Sequence, residues 1–290
     1  MDILLGLIPA LAWGLLPIAA TKMGGKPVNQ ILGTTMGVLM AAIAVFLVLR
    51  PELSPRTAIL SALSGALWVI GQTGQYTAYS RIGVSGTMPV STGLQLVGTS
   101  LIGVFVFGEW SSGFAGMDAT QARLVGFAAL AVIVLGVFLT SVRRGGSGPP
   151  VDKDTLLLLF ATNFGYLAYN AIPDVIEARG TAIFLPQAAG MAAAALLYAV
   201  GSGQRRAIVQ PESRKNIVTG LVFAVASLTY ILSAQHNGIA TGFVLSQVNV
   251  VIATLAGIVI LKEEKTPFEM KATLAGLILI VAAASITAFL

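Results

Sequence analysis

Cysteine is absent from all 290 residues. That absence excludes a disulfide framework, a thiolate metal site and a cysteine nucleophile, and it leaves the redox compartment unread. Charge is nearly as scarce, at 10% of residues, against about 25% in an ordinary soluble domain. Histidine occurs once, as His236; at a boundary between apolar runs it reads more readily as a solvated residue than as a titrating switch. The chain has no HExxH, no GxSxG and no glycine-rich loop closed by Lys and Ser or Thr. Zinc hydrolysis, α/β-hydrolase chemistry and ATP-driven transport in cis therefore lack their parts. The expectation is a non-enzyme without cofactor or metal.

What is present is apolar. Hydrophobic residues make up 56% of the chain and the mean hydropathy is +0.87, which is the composition of a polytopic membrane protein. Ten apolar runs can be marked, at residues 3–20, 28–49, 57–79, 84–107, 123–141, 155–172, 182–200, 216–235, 241–261 and 269–290. Each is long enough to cross the roughly 30 Å hydrocarbon core as a helix. The N-terminus lacks the basic flank of a signal peptide and carries Asp2 instead, so the first run is expected to be a retained span. The 32 glycines are scattered through the runs, where close helix packing explains them.

The net charge is +5, but its carriers mark topology rather than a nucleic-acid surface. The gaps on one side hold Lys22, Lys26, Arg81, Arg143, Arg144, Lys153, Arg205, Arg206, Arg214, Lys215, Lys262, Lys265 and Lys271; the other side keeps Arg50, Arg56, Arg123 and Arg179. By the positive-inside rule the first side is cytoplasmic and both termini are extracytoplasmic, in the plasma membrane.

Residues 143–154, RRGGSGPPVDKD, have the composition of a linker. They divide a first half, 1–142, from a second, 155–290. Sliding one half by 155 positions lays Gly65 on Gly220, Trp68 on Phe223, Gly83 on Gly238, Ser91 on Ser246, Thr99 on Thr254 and Glu109 on Glu264; Gly37 resembles Gly190 less strictly. Five spans per half is an odd number, so the copies insert with opposite orientation. The predicted fold is all-α, ten transmembrane helices as two inverted five-helix repeats, the plan of many secondary transporters.

Between Arg81 and Glu109 there is no charged side chain, yet Met88, Ser91, Thr92, Gln95 and Thr99 make a polar stripe that must turn from lipid. The counterpart stripe in the second half, Ser246, Val250, Ala253 and Gly257, is smaller, so substrate hydrogen bonds are expected mainly from the first half. The third span puts Trp68, Gln72, Gln75, Tyr76 and Tyr79 on one face; the eighth adds Tyr230. The sixth offers Asn163, Tyr166 and Asn170, with Tyr169 beside them. Trp13, Gln187, Ser246, Gln247 and Asn249 complete the candidate substrate-binding set. Neutral amides, hydroxyls and rings suit a neutral polyol, whose hydroxyls both donate and accept. The plainer reading, helices joined by interhelical hydrogen bonds, stands beside it for each Ser and Thr. No acid lies at mid-span; Asp174 and Glu109, near span ends, are the candidates for ion coupling.

The segments GVSGTMPVSTGLQLVGT (83–99) and GEW (108–110), with PALAWG (9–14), NQILGTT (29–35), SGALW and GQTGQ within 64–75, and PQAAGM (186–191), resemble the bacterial glucose/ribose uptake family of the drug/metabolite transporter superfamily. The chain departs from that pattern at Leu32 and Gly86. The resemblance implies a ten-span importer of a monosaccharide running as a proton symporter, with Gln72, Gln75, Ser91, Thr92, Gln95 and Gln187 along the substrate path. An exporter of amino acids or other small metabolites is the alternative within the superfamily; a buried charge for a carboxylate would favour it.

Overall fold

The computed structural model describes residues 3–110, 116–144, 151–176, 180–237 and 239–290. The middle of the linker (145–150), Glu177, Arg179, Gly238 and the side chains of Asp174 and Gln235 lie outside the described residues. The elements are α1 (Ile3–Met23), α2 (Pro27–Leu49), α3 (Pro55–Ile82), α4 (Val84–Val106), α5 (Ala119–Thr140), α6 (Lys153–Val175), α7 (Phe184–Gly201), the short α8 (Pro211–Lys215), α9 (Ile217–Asn237), α10 (Ile239–Ile260) and α11 (Pro267–Ala288). Among the described residues there is no strand, and nine helices are long and apolar enough to cross a membrane. The long helix outside that set is α3, whose 28 residues include Ser61, Ser64, Gln72, Gln75, Tyr76 and Tyr79, all buried. Its neighbours, not lipid, meet those groups.

Local chemistry explains where the helices start. Pro27, Pro55 and Pro267 occupy first turns, where a missing N–H is no loss. Ser54, Asp118 and Thr266 cap α3, α5 and α11, and Gln121 and Glu269 complete capping boxes. Four prolines interrupt helix interiors: Pro9 and Pro17 in α1, Pro89 in α4 and Pro173 in α6. Each leaves the carbonyl four residues earlier without its ladder bond.

The helices interlock through glycine. In α2, Gly37 faces the backbone of Ile217 and Gly220 in α9, while Gly220 faces the Thr34 carbonyl. In α7, Gly190 meets the Ala62 carbonyl of α3, and Gly65 of α3 meets the Gln187 carbonyl. A methyl at any of these positions would overlap backbone. Gly136 of α5 and Gly276 of α11 approach in the same way. The core fills with Trp68, Tyr76, Ile31, Ile133, Met191, Leu277 and Ile280, whereas Leu47, Val48, Phe138, Phe160, Leu197 and Ile278 point outward where acyl chains would lie.

At one end of the bundle the charged groups bind the halves together. The buried Glu269 accepts from the Arg144 N–H at 2.6 Å and the Thr266 N–H at 3.0 Å, with Arg143 at 3.8 Å. Lys265 donates to the Thr140 carbonyl (3.2 Å) and the Thr273 hydroxyl (2.7 Å). Burial pushes the Lys265 ammonium down to about 8; Arg143 adds to that, while Glu269 and Glu263 oppose it. In the linker, Asp152 takes the hydroxyl and N–H of Thr155, which hold its carboxyl below the usual range.

Candidate functional site

The polar faces of α3, α4 and α6 meet inside the bundle. The hydroxyl of Tyr166 donates one hydrogen toward two acceptors, Gln72 Oε1 at 2.9 Å and Gln75 Oε1 at 3.1 Å. Gln72 Nε2 donates to Gln75 Oε1 at 3.2 Å, and Gln75 Nε2 donates to the Ser91 hydroxyl at 2.8 Å. Gln95 Nε2 lies 3.3 Å from both the Ser91 hydroxyl and the Ser91 carbonyl. The amides thus run head to tail from α6 through α3 to α4. Gln72, Gln75, Ser91, Tyr166 and Thr92 are buried; Gln95 is half-buried. The set contains no carboxylate, ammonium or guanidinium, so its electrostatics are those of oriented dipoles.

Spacing explains the convergence. Residues three and four apart share a helical face, which brings Trp68, Gln72, Gln75 and Tyr79 into line on α3 and Ser91 with Gln95 on α4. Asn163, one turn before Tyr166, donates to the Leu94 carbonyl at 3.1 Å, and its buried Oδ1 has no hydrogen-bond partner among the described residues.

An aromatic group lines the next turn. The Trp68 ring lies 5.0 Å from Phe223, 6.4 Å from Tyr169 and 6.5 Å from Tyr166, at steep angles. The Tyr166 and Phe223 pairs have the edge-on geometry favourable for aromatic rings, and the Tyr169 pair is tilted. Trp13 and Tyr230 pair at 5.4 Å across α1 and α9. Close to Trp68, Gln187 Nε2 donates to the Ser64 hydroxyl at 3.1 Å, which donates to the Tyr169 carbonyl at 3.0 Å. That carbonyl is the one Pro173 leaves open, four residues on. Sequence reading missed Ser64. The signal was available: a proline frees a carbonyl that some donor must fill.

Other candidates are placed differently. Tyr76 is wholly buried, and its hydroxyl shares a 2.8 Å bond with Thr34 on α2. Ser246 and Asn249 bond to carbonyls of their own helix, Phe243 and Ser246, and Gln247 reaches the Ser246 hydroxyl at 3.3 Å. Asn170 is exposed, and Tyr169 rather than Asn170 faces Trp68. Glu109 lies in an exposed turn after α4 with its carboxylate against Gly103. Among the described residues no group of three His, Asp or Glu could hold a metal ion.

The turns after α4 and α10 also revise one residue pairing. Gly108 and Lys262 both have positive φ, 71° and 58°. The next N–H, from Glu109 or Glu263, returns to the carbonyl of Gly103 or Gly257. The geometry therefore matches Glu109 with Glu263, one residue earlier than the Glu264 of the sequence frame.

Comparison with known proteins agrees on one family. The model of a family described as sugar transport protein matches residues 4–290. The chain is 43% identical to "Putative ribose uptake protein RbsU" of Latilactobacillus sakei, over 100% of this chain and 99% of that one. It is 42% identical to "Putative sugar uptake protein lmo0169" of Listeria monocytogenes, over 97% and 96%. One solved crystal structure superposes with TM-score 0.60 at 16% identity, over 98% of this chain and 94% of its own. At that identity the likeness carries the fold alone.

Proposed function

Since the chain belongs to the sugar transport protein family, a family of transporters rather than enzymes, we propose that this multi-pass membrane protein imports a monosaccharide, glucose or ribose, by alternating access. The observation that carries the proposal is the chain from Tyr166 through Gln72 and Gln75 to Ser91, buried beside the Trp68 aromatic group. Amide and hydroxyl groups supply both donors and acceptors for sugar hydroxyls, and flat rings pack on the C–H faces of a pyranose or furanose. A carboxylate substrate would find no cation in this cluster.

The scaffold we propose is ten spans in two inverted halves, with α3 as the span whose polar face lines the path. Three observations support it. Trp68 and Phe223, equivalent under the 155 frame, touch each other as residues near a two-fold axis would. Gly37 and Gly220 join α2 to α9 as Gly190 and Gly65 join α7 to α3. The turns after α4 and α10 close alike. With the Lys and Arg excess facing the cytoplasm, both termini are extracytoplasmic.

Uptake of radiolabelled ribose and glucose into proteoliposomes tests the proposal, with and without an inward proton gradient. Saturable uptake in either arm supports it, and accumulation only with the gradient assigns proton coupling. No saturable uptake in either arm overturns it.

A further inference from the structure

The turn after α10 does more than end a helix. The Glu263 carboxylate reaches from it to the first turn of α4, where Oε1 accepts the Val84 N–H at 2.6 Å and Oε2 accepts the Ser85 N–H at 2.7 Å. Those N–H groups have no partner inside their own helix, and the positive end of a helix favours an anion. Gly83, with φ of 75°, lies beneath; a methyl there would come within 2.8 Å of the carboxylate. The two helices are close enough at this seam that a methyl on Gly257 would stand 3.1 Å from the Ser85 nitrogen.

A second feature marks the seam. Ser85 and Thr254 are completely buried there, and neither hydroxyl has a hydrogen-bond partner among the described residues. Thr254 lies one turn before Gly257. An unmade bond on a buried hydroxyl is unfavourable, and water entering the seam would relieve it. The closed arrangement is therefore held by the carboxylate and opposed by two orphaned hydroxyls. That is how a seam that opens would be balanced.

We propose that Glu263 is the latch of one entrance to the amide cluster, closed in this structure, and that opening this face requires its carboxylate to leave the α4 N-terminus. The inference rests on the alternating-access reading. Ser91 and Gln95 ride on the same α4, two to three turns beyond the latch, so release of α4 would move the cluster with its gate. Glu263 is a positioning residue here; nothing in this role needs it to touch sugar.

The absence of cysteine makes the test direct. With Thr254→Cys as the reporter, labelling by a membrane-impermeant sulfonated maleimide is timed from each face, in right-side-out and inside-out vesicles. Glu263→Gln should raise the labelling rate from one face by about tenfold or more, the scale of losing hydrogen bonds to a charged acceptor. Gly83→Ala keeps the charge but displaces it, and should act in the same direction. Glu264→Gln should leave the rate at the parent value. The latch is overturned if both Glu263→Gln and Gly83→Ala, each recovered as monodisperse protein, label as the parent does, or if Glu264→Gln accelerates labelling equally. The readout needs no sugar: parental labelling rates alongside intact uptake reject the latch alone, whereas faster labelling in a protein that moves no sugar rejects the substrate reading alone.

Discussion

Replacing Tyr166 by Phe removes one oxygen from the amide cluster and leaves the ring against Trp68. Gln75 Oε1 would keep the Gln72 N–H at 3.2 Å, but Gln72 Oε1 would lose the 2.9 Å donor shown for it. A buried acceptor without a donor costs about 1–3 kcal/mol in water-soluble proteins, whereas interhelical polar contacts in membranes average about 0.6 kcal/mol. The stability loss is therefore expected near 1 kcal/mol. Sugar affinity should suffer more, because the hydroxyl fixes which way both amides point; about 1–2 kcal/mol, or roughly 5–30-fold in Kd, is expected. Calorimetric binding of the transported sugar to detergent-purified protein, beside thermal melts, separates the two effects. A cycle with Gln72→Ala sharpens the comparison: if Tyr166 acts through Gln72, the double variant should bind little worse than Gln72→Ala alone. Parental affinity in Tyr166→Phe together with a lowered melt would refute the reasoning and leave Tyr166 as helix glue.

Three further outcomes are expected. Gln95→Ala should weaken sugar binding with little change in melting, because its bonds to Ser91 are long at 3.3 Å; equal loss of both would make it structural. Gly37→Val should lower the yield and melting temperature sharply by driving side-chain atoms into the Ile217 carbonyl, whereas Gly86→Ala, whose new methyl would come no nearer than 3.6 Å to Ile82, its nearest neighbour, should be tolerated; similar melts for the two would contradict the packing. Lys265 is the pH case. Its folded value of about 8 lies below the ordinary lysine value, so between the two the unfolded chain holds the extra proton and this group's contribution to stability rises with pH. Melts from pH 7 to 10 should show the parent gaining stability relative to Lys265→Met as pH rises; a difference independent of pH would contradict the shift.

The helices were legible because burial in a bilayer imposes length and apolarity, and each marked run falls on a helix to within a few residues. The polar face of α3 was legible too, since residues three and four apart declare a face before any partner is known. Partners were not. Periodicity says that Ser64 points inward; only three-dimensional proximity shows that it fills the carbonyl left open by Pro173. The turn at Glu109 matches the turn at Glu263 rather than Glu264, and the one-residue difference already stands at Gly103 and Gly257 inside the helices, where a gapless frame could not anticipate it. Tyr169, set beside the polar face of α6 in sequence, meets Trp68 as closely as Tyr166 does.

The bond from Ser64 to the Tyr169 carbonyl has a mechanical meaning. A proline removes a rung from the ladder of its own helix, and bending concentrates at that point. In α6 the missing rung is replaced by a side chain from another helix, so flexing at Tyr169 stretches a bond to α3 as well as bonds within α6. Because Gln187 donates to the same hydroxyl, a shift of α7 pulls on that replacement rung. One hydroxyl group thus makes the stiffness of a joint in α6 depend on the positions of two other helices.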